Sequence, residues 1–164
     1  MEVAGNLPPV SGAVPVTAPG PETITVDEMD SQTKELSEFC GVLWREREIV
    51  ERVLFKVLGQ QLVLKSGQLR WLVAANTEIE LAVNDLRVIE VVRCAESDRL
   101  AEHLTAAPGA TLAELAEIAP EPWGSILAEH RDALRDLAAE IDNAVRENRT
   151  LLVDGATGVS TVSS

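Results

Sequence analysis

A chain of 164 residues that is 46% hydrophobic, only 3% aromatic and without tyrosine has the aliphatic, Ala-, Glu- and Arg-rich usage of helices packed on helices rather than of a β-sandwich. Its formal net charge of −13 repels phosphate backbones and excludes nucleic acid as a partner; the same charge keeps an aliphatic bundle in solution. No apolar run reaches the 18 or so residues that span a bilayer, so no membrane insertion is expected.

Residues 1–26 contain Pro8, Pro9, Pro15, Pro19 and Pro21 among Gly, Ala, Val and Thr, and read as a disordered, Pro-rich arm. Glu2 and the absence of a base ahead of the short apolar stretch argue against a secretory signal, and the expected compartment is the cytoplasm. Helix onset is predicted near Thr25 or Asp27, where Asp27, Glu28 and Asp30 suit the positive end of a helix dipole.

The first helix carries the pattern around which the chain is organised. Leu36, Leu43, Val50, Val57 and Leu64 recur every seven residues, with Phe39 and Val53 in the intermediate slots, Cys40 and Leu54 beside them, and Glu46 and Gln60 in the remaining slots. Seven residues are nearly two turns, so these side chains form one stripe that needs helical partners. Ser66 and Gly67 supply its stop, and Gly59 is a weak point within it.

The second helix is predicted over about 68–105. Its stripe of Leu69, Leu72, Val73, Ile79, Val83 and Leu86 broadens through Val88, Ile89, Val91 and Val92, which predicts contact with more than one neighbour and hence a central position. Asn76 and Glu90 lie in its seam and are read as register-setting. Ala107-Pro108-Gly109-Ala110 breaks the pattern, and Thr111 with Glu114 forms a capping box that opens a short helix Leu112–Ala119, ended by Pro120 and Pro122.

A third long helix is expected from Trp123 or Gly124 to Leu152. Leu127, Leu134, Ile141 and Asn148 form one heptad series, and His130, Leu137, Ala144 and Leu151 form the other. Asp154-Gly155-Ala156-Thr157-Gly158 is read as its end, with 154–164 a flexible tail. The predicted fold is all-α, an antiparallel three-helix coiled-coil-like bundle over 27–153 with a short extra helix in the second connection.

Chemistry finds no support in these residues. His103 and His130, the two histidines, follow Leu100 and Leu127 at the third preceding position, so neither belongs to a Glu-x-x-His pair of a di-iron bundle. There is no Cys-x-x-Cys and no phosphate-cradling glycine loop; catalytic, metal and cofactor residues are none. Cys40 and Cys94 read as small hydrophobes in a reducing compartment, His103 as a solvated residue and His130 as a residue of the bundle's edge. Thr111-Leu-Ala-Glu-Leu-Ala116 imitates the first helix of a helix-turn-helix, but Pro120-Glu-Pro-Trp-Gly follows where a recognition helix belongs.

Read in order, these features resemble the FlgN-like flagellar export chaperones. The resemblance rests on Leu36-Ser-Glu-x-x-x-x-Leu43, on Gln68-Leu69-x-x-Leu72 followed by Ile79, Val83, Leu86, Ile89 and Arg93, on the capped Thr111–Ala116 segment, and on Leu134-Arg-Asp-Leu137 running to Asn143, Asn148 and Leu151-Leu152. It covers about 33–153. It implies a cytoplasmic chaperone of type III flagellar export that binds the C-terminal amphipathic helices of hook-associated (hook–filament junction) proteins and delivers them to export gate components. It also implies a monomer or weak homodimer. Some relatives use a tyrosine in the C-terminal part at the gate; this chain has no Tyr, so that contact is either absent here or made by another residue. The expected client groove lies on the third long helix, at Leu134, Leu137, Ile141, Val145, Asn148, Leu151 and Leu152. Leu134, Leu137 and Ile141 either line the groove or complete the core. Val145, Leu151 and Leu152 are its strongest members, because they are predicted to lie beyond the reach of the helical hairpin; Asn148 either accepts a client group or sets register. The alternative is a structural coiled-coil scaffold whose ladder serves self-association.

Overall fold

The computed structural model describes residues 26–160 and contains helices and no strand among them. Helix α1 spans Val26–Lys65, α2 Leu72–His103, α3 Leu112–Ile118 and α4 Trp123–Ser160; one 3-10 turn, Leu69–Trp71, precedes α2. The Pro-rich arm, apart from its last residue, lies outside the described residues. At about 1.5 Å per residue, α1 is a rod of roughly 60 Å.

The heptad ladder becomes the core. Leu36 and Leu43 are fully buried, Val50 and Val57 nearly so, and Phe39, Cys40 and Val53 fill the slots between them. Leu64, at the end of the ladder, is half-buried. Gly67, with φ +68°, takes the left-handed conformation that ends α1 as predicted.

Polar contacts fix the register of α2 against α1. Glu38 accepts from Arg99 at 3.1 Å, Glu46 from Arg93 at 3.0 Å and Asp85 from Arg52 at 3.2 Å, while Lys56 donates to Glu78 at 2.7 Å and Gln60 to Asn76 at 2.6 Å. Partner numbers fall on α2 as they rise on α1, so the hairpin is antiparallel. Helix α4 runs the other way: Trp44 meets His130, and Val57 and Gln61 meet Asn148 and Glu147, so α4 is parallel to α1.

Helix α1, not α2, is the central rod. The pairings that build the bundle are α1 with α2 and α1 with α4, and α3 packs on α4; α2 and α4 flank α1 without a comparable interface of their own. Helix α2 buries only Ala82, Ile89, Ser97, Leu100 and Ala101, a narrow strip facing α1. The extra valines that predicted a second neighbour stay in solvent, with Val88 68% and Val91 71% exposed. A broad stripe records how much apolar surface a helix carries, not how much of it the same chain covers.

Two core clusters result. The upper one joins Leu36, Phe39, Cys40 and Leu43 of α1 to Leu100 and Ala101 of α2, Leu115 of α3 and Leu127 of α4. The lower one joins Val53 and Val57 to Ala82 and Ala144, with Ile141 and Val145 packed against it. The predicted capping box is present in α3: the Thr111 hydroxyl accepts from the Glu114 N–H at 3.3 Å, and the Glu114 carboxylate accepts from the Thr111 N–H at 2.7 Å. Helix α4 continues through Gly155 and Gly158 to Ser160, past the stop predicted at Asp154. Glycine costs a helix only about 1 kcal/mol and propagation is otherwise easy, so without a proline nothing forces termination there.

Candidate functional site

Because α2 and α4 each pack mainly on α1 and only slightly on one another, a furrow of about 460 Å³ opens between them. Glu46 and Val50 of α1 form its floor. Leu86, Glu90 and Arg93 line the α2 wall, Leu134, Arg135, Ala138, Ile141 and Asp142 line the α4 wall, and Leu112 of α3 closes one end. The furrow sits where the core is thinnest, between the two clusters, and has the place a fourth helix takes in a four-helix bundle.

The floor is polar at one point. Glu46 is 94% buried by its 6% exposure, and Arg93 Nε donates to its Oε1 at 3.0 Å; its Oε2 is screened from water and has no hydrogen-bond partner. Burial pushes the Glu46 carboxyl above the usual carboxylate range; Arg93 opposes that rise and Glu90 reinforces it.

The seven residues predicted to bind a client separate into three groups. Leu134 and Ile141 line the furrow while also packing on the upper and lower clusters, respectively. Leu137 is half-buried on the same helix. Val145 packs against the lower cluster, contrary to the expectation that no partner reaches it: α4 lies parallel to α1, and Gln61 donates to Glu147 at 2.6 Å beyond that point. Asn148 is 3% exposed and donates to the Val57 carbonyl at 3.0 Å and to Gln60 Oε1 at 2.7 Å, which makes it the register-setting group of the α1–α4 seam. Leu151 is half-buried, and Leu152 is 42% exposed at the far end.

Sequence patterning missed the α2 wall and the α4 residues Arg135, Ala138 and Asp142. The one available signal was Ala138, a small residue set between Leu134 and Ile141 on the same face. A second apolar groove, of about 700 Å³, runs along the outer side of the α1–α2 hairpin, where Val42, Ile49, Val88, Ile89 and Val92 are spanned by the Arg52–Asp85 pair.

His130 is 1% exposed, in the core and not at the edge, with its ring edge-on to Trp44 at a centroid distance of 5.2 Å. His103 is partly exposed and contacts the Glu35 carboxylate. Cys40 and Cys94 are free thiols, the first buried as expected and the second exposed, so only Cys40 serves as a small hydrophobe. Among the described residues no cluster of His, Cys, Asp and Glu is arranged to hold a metal ion, and no helix is long and apolar enough to cross a membrane.

Neither a curated protein nor a solved structure matches the chain. A family model does, described as FlgN protein, over residues 29–155, which include every residue that lines the furrow. With most of its length inside that match, the chain belongs to the FlgN family of flagellar export chaperones.

Proposed function

We propose that this chain binds the C-terminal amphipathic helices of hook–filament junction proteins in the furrow between α2 and α4. There it keeps them from assembling in the cytoplasm and presents them to the export gate. The carrying observation is the unfilled fourth-helix position: a furrow floored by α1, with Leu86, Leu134 and Ile141 on its walls and charges at its rim, in a bundle whose flanking helices do not close fully on each other. A client helix would set apolar side chains at i, i+3, i+4 and i+7 against Leu134, Ile141 and Leu86. Each such side chain fully buried contributes roughly 1.5–3 kcal/mol, enough for two turns to hold a client that must later be released.

Co-purification with the C-terminal segment of a junction protein tests this. Ala138, exposed on the furrow wall, tolerates a bulky replacement without disturbing the core, so Ala138→Trp is expected to lose the client while keeping its helicity. Leu151→Ser with Leu152→Ser, at the far end of α4, is expected to retain it. Retention by the first variant and loss by the second moves the groove to the end of α4.

The exposed Val73, Leu81, Val88 and Val91 of α2 favour a second reading, a self-associating coiled-coil subunit. Sedimentation across a concentration series separates the two. A chaperone stays a monomer or weak dimer alone and forms a defined complex with its client, whereas a scaffold gains mass with concentration in the absence of any client.

A further inference from the structure

The furrow carries charges that no salt bridge of its own helices holds, although Arg135 also lies within electrostatic reach of Asp132 on α4. Arg93 is engaged by Glu46, but Glu90 on the α2 wall and Arg135 and Asp142 on the α4 wall make no salt bridge among the described residues. All three are exposed at the rim. Arg135 and Asp142 are seven residues apart on one helix face, a separation of about 10.5 Å along the axis, and Arg135 is at the end closed by α3. A helix lying alongside presents its own i and i+7 side chains at the same spacing. Opposite signs two turns apart therefore match in one direction of the occupant and clash in the other.

We infer that the furrow reads the polarity of a single bound helix: the occupant is an amphipathic helix with an acid facing Arg135 and a base, two turns away, facing Asp142, and the order of those charges along its chain decides which end lies at α3. This rests on the reading of the furrow as the client site. The chain's own N-terminal segment does not fit that description. Residues 1–25 contain five prolines and no Lys or Arg, so they offer neither an unbroken helical ladder nor a cation for Asp142 and Glu90. Rim charges govern direction and encounter more than total affinity, which suits a device that must discriminate orientation and still let go.

The test uses the full chain with an acceptor dye on Cys94. That thiol is exposed one turn beyond Glu90 toward the α3 end, while Cys40 is buried. Two synthetic helices share one composition and one leucine ladder and carry a donor at the N-terminus. The first has Glu seven residues ahead of Lys, and the second has Lys seven residues ahead of Glu. Energy transfer is expected to be high for the first and low for the second, with one direction favoured about fivefold. The double variant Arg135→Glu with Asp142→Arg is expected to exchange the two results. Equal transfer for both helices, or the same pattern in the double variant, overturns the inference.

Ala138→Trp, checked for unchanged helicity, is expected to weaken both helices at least tenfold. If it does so while transfer ignores charge order, the polarity inference falls and the client site stands. If neither synthetic helix nor a junction-protein segment binds the unmodified protein, the functional reading itself falls. Should Ala138→Trp instead lower the mass of the protein sedimented alone, a second copy occupies the furrow and the inference is overturned.

Discussion

His130 shows how one residue of a heptad seam acquires a property that its sequence position does not announce. Its ring stands at 89° to Trp44, its Nδ1 is buried without a hydrogen-bond partner, and the Arg47 guanidinium lies 4.7 Å above the Trp44 ring. Burial first, and then the nearby Arg47 charge, hold the imidazole below its ordinary 6.5, against a smaller opposing pull from Glu129. In the unfolded chain the ring takes a proton as pH falls through about 6.5, while in the fold it does so only at lower pH. The unfolded state therefore binds more protons in that window, and stability is lost as pH falls below about 6.5 toward the lowered folded value. Glu46, whose carboxyl is raised, acts in the opposite sense at lower pH, so the comparison has to be made against a variant. His130→Phe keeps the edge-on ring and removes the unpartnered nitrogen. It is expected to match or exceed the parent at pH 7 and to lose less stability by pH 5 in urea titrations; identical pH slopes for the two proteins refute the assignment. The heptad series with Leu137 and Ala144 was legible, but the reading of His130 as an edge residue was wrong: it is in the core. What the sequence did not carry was the neighbour: Trp44 lies outside the α1 ladder, so nothing in the heptad pattern paired it with a histidine 86 residues away.

At the scale of elements, helix starts were better marked than helix ends. The box at Thr111 and Glu114 was readable because both halves are side chains with a fixed spacing. The end of α2 hides its stop in the backbone. The Ala106 N–H donates to the Ala101 carbonyl at 2.8 Å and the Thr105 N–H to the Glu102 carbonyl at 3.3 Å, with Thr105 at φ 54°. That is the six-to-one, five-to-two closure in which the left-handed position normally belongs to Gly. A β-branched residue there is strained by about 1–2 kcal/mol, so Thr105→Gly is expected to raise the unfolding free energy by about 1 kcal/mol in denaturant titration. No gain, or a loss, shows that the Thr side chain contributes more than its strain. Gly124 is the converse case, read from sequence only as a helix start. A Cβ there would lie 2.7 Å from the Ala116 carbonyl oxygen and 3.1 Å from that of Ala119, both backbone atoms that cannot turn aside. Gly124→Ala is expected to cost roughly 1–3 kcal/mol by forcing α3 off α4, despite alanine's better helix propensity. A thermal midpoint at or above the parent's contradicts this close approach.

For the whole molecule, the lesson lies in which helix is shared. The α1 ladder identified the core, and the α4 ladder picked out Leu134 and Ile141, which line the furrow, because a stripe at heptad spacing must be covered by something. The furrow was not legible, since it forms where α2 and α4 stop short of a full interface, and a gap leaves no periodicity in either helix. The same reasoning yields an exchange pattern. If α1 is the rod on which both flanks depend, its amides between Leu36 and Val57 are opened only by global unfolding and exchange most slowly. Helix α2, bound by a narrow strip and carrying Val88 and Val91 in solvent, opens by subglobal release from the hairpin and exchanges sooner. Addition of a junction-protein helix is then expected to slow exchange around Leu86–Arg93 and Leu134–Asp142, the two walls of the furrow, and to leave α1 almost unchanged because it is already at the global limit. Hydrogen exchange followed peptide by peptide, with and without client, checks both halves. If α2 outlasts α1 in the free protein, α1 is not the common support. If the client protects the outer valines of α2 rather than the α4 wall, it rides on the hairpin's outer groove, and the fourth-helix position is not where it binds.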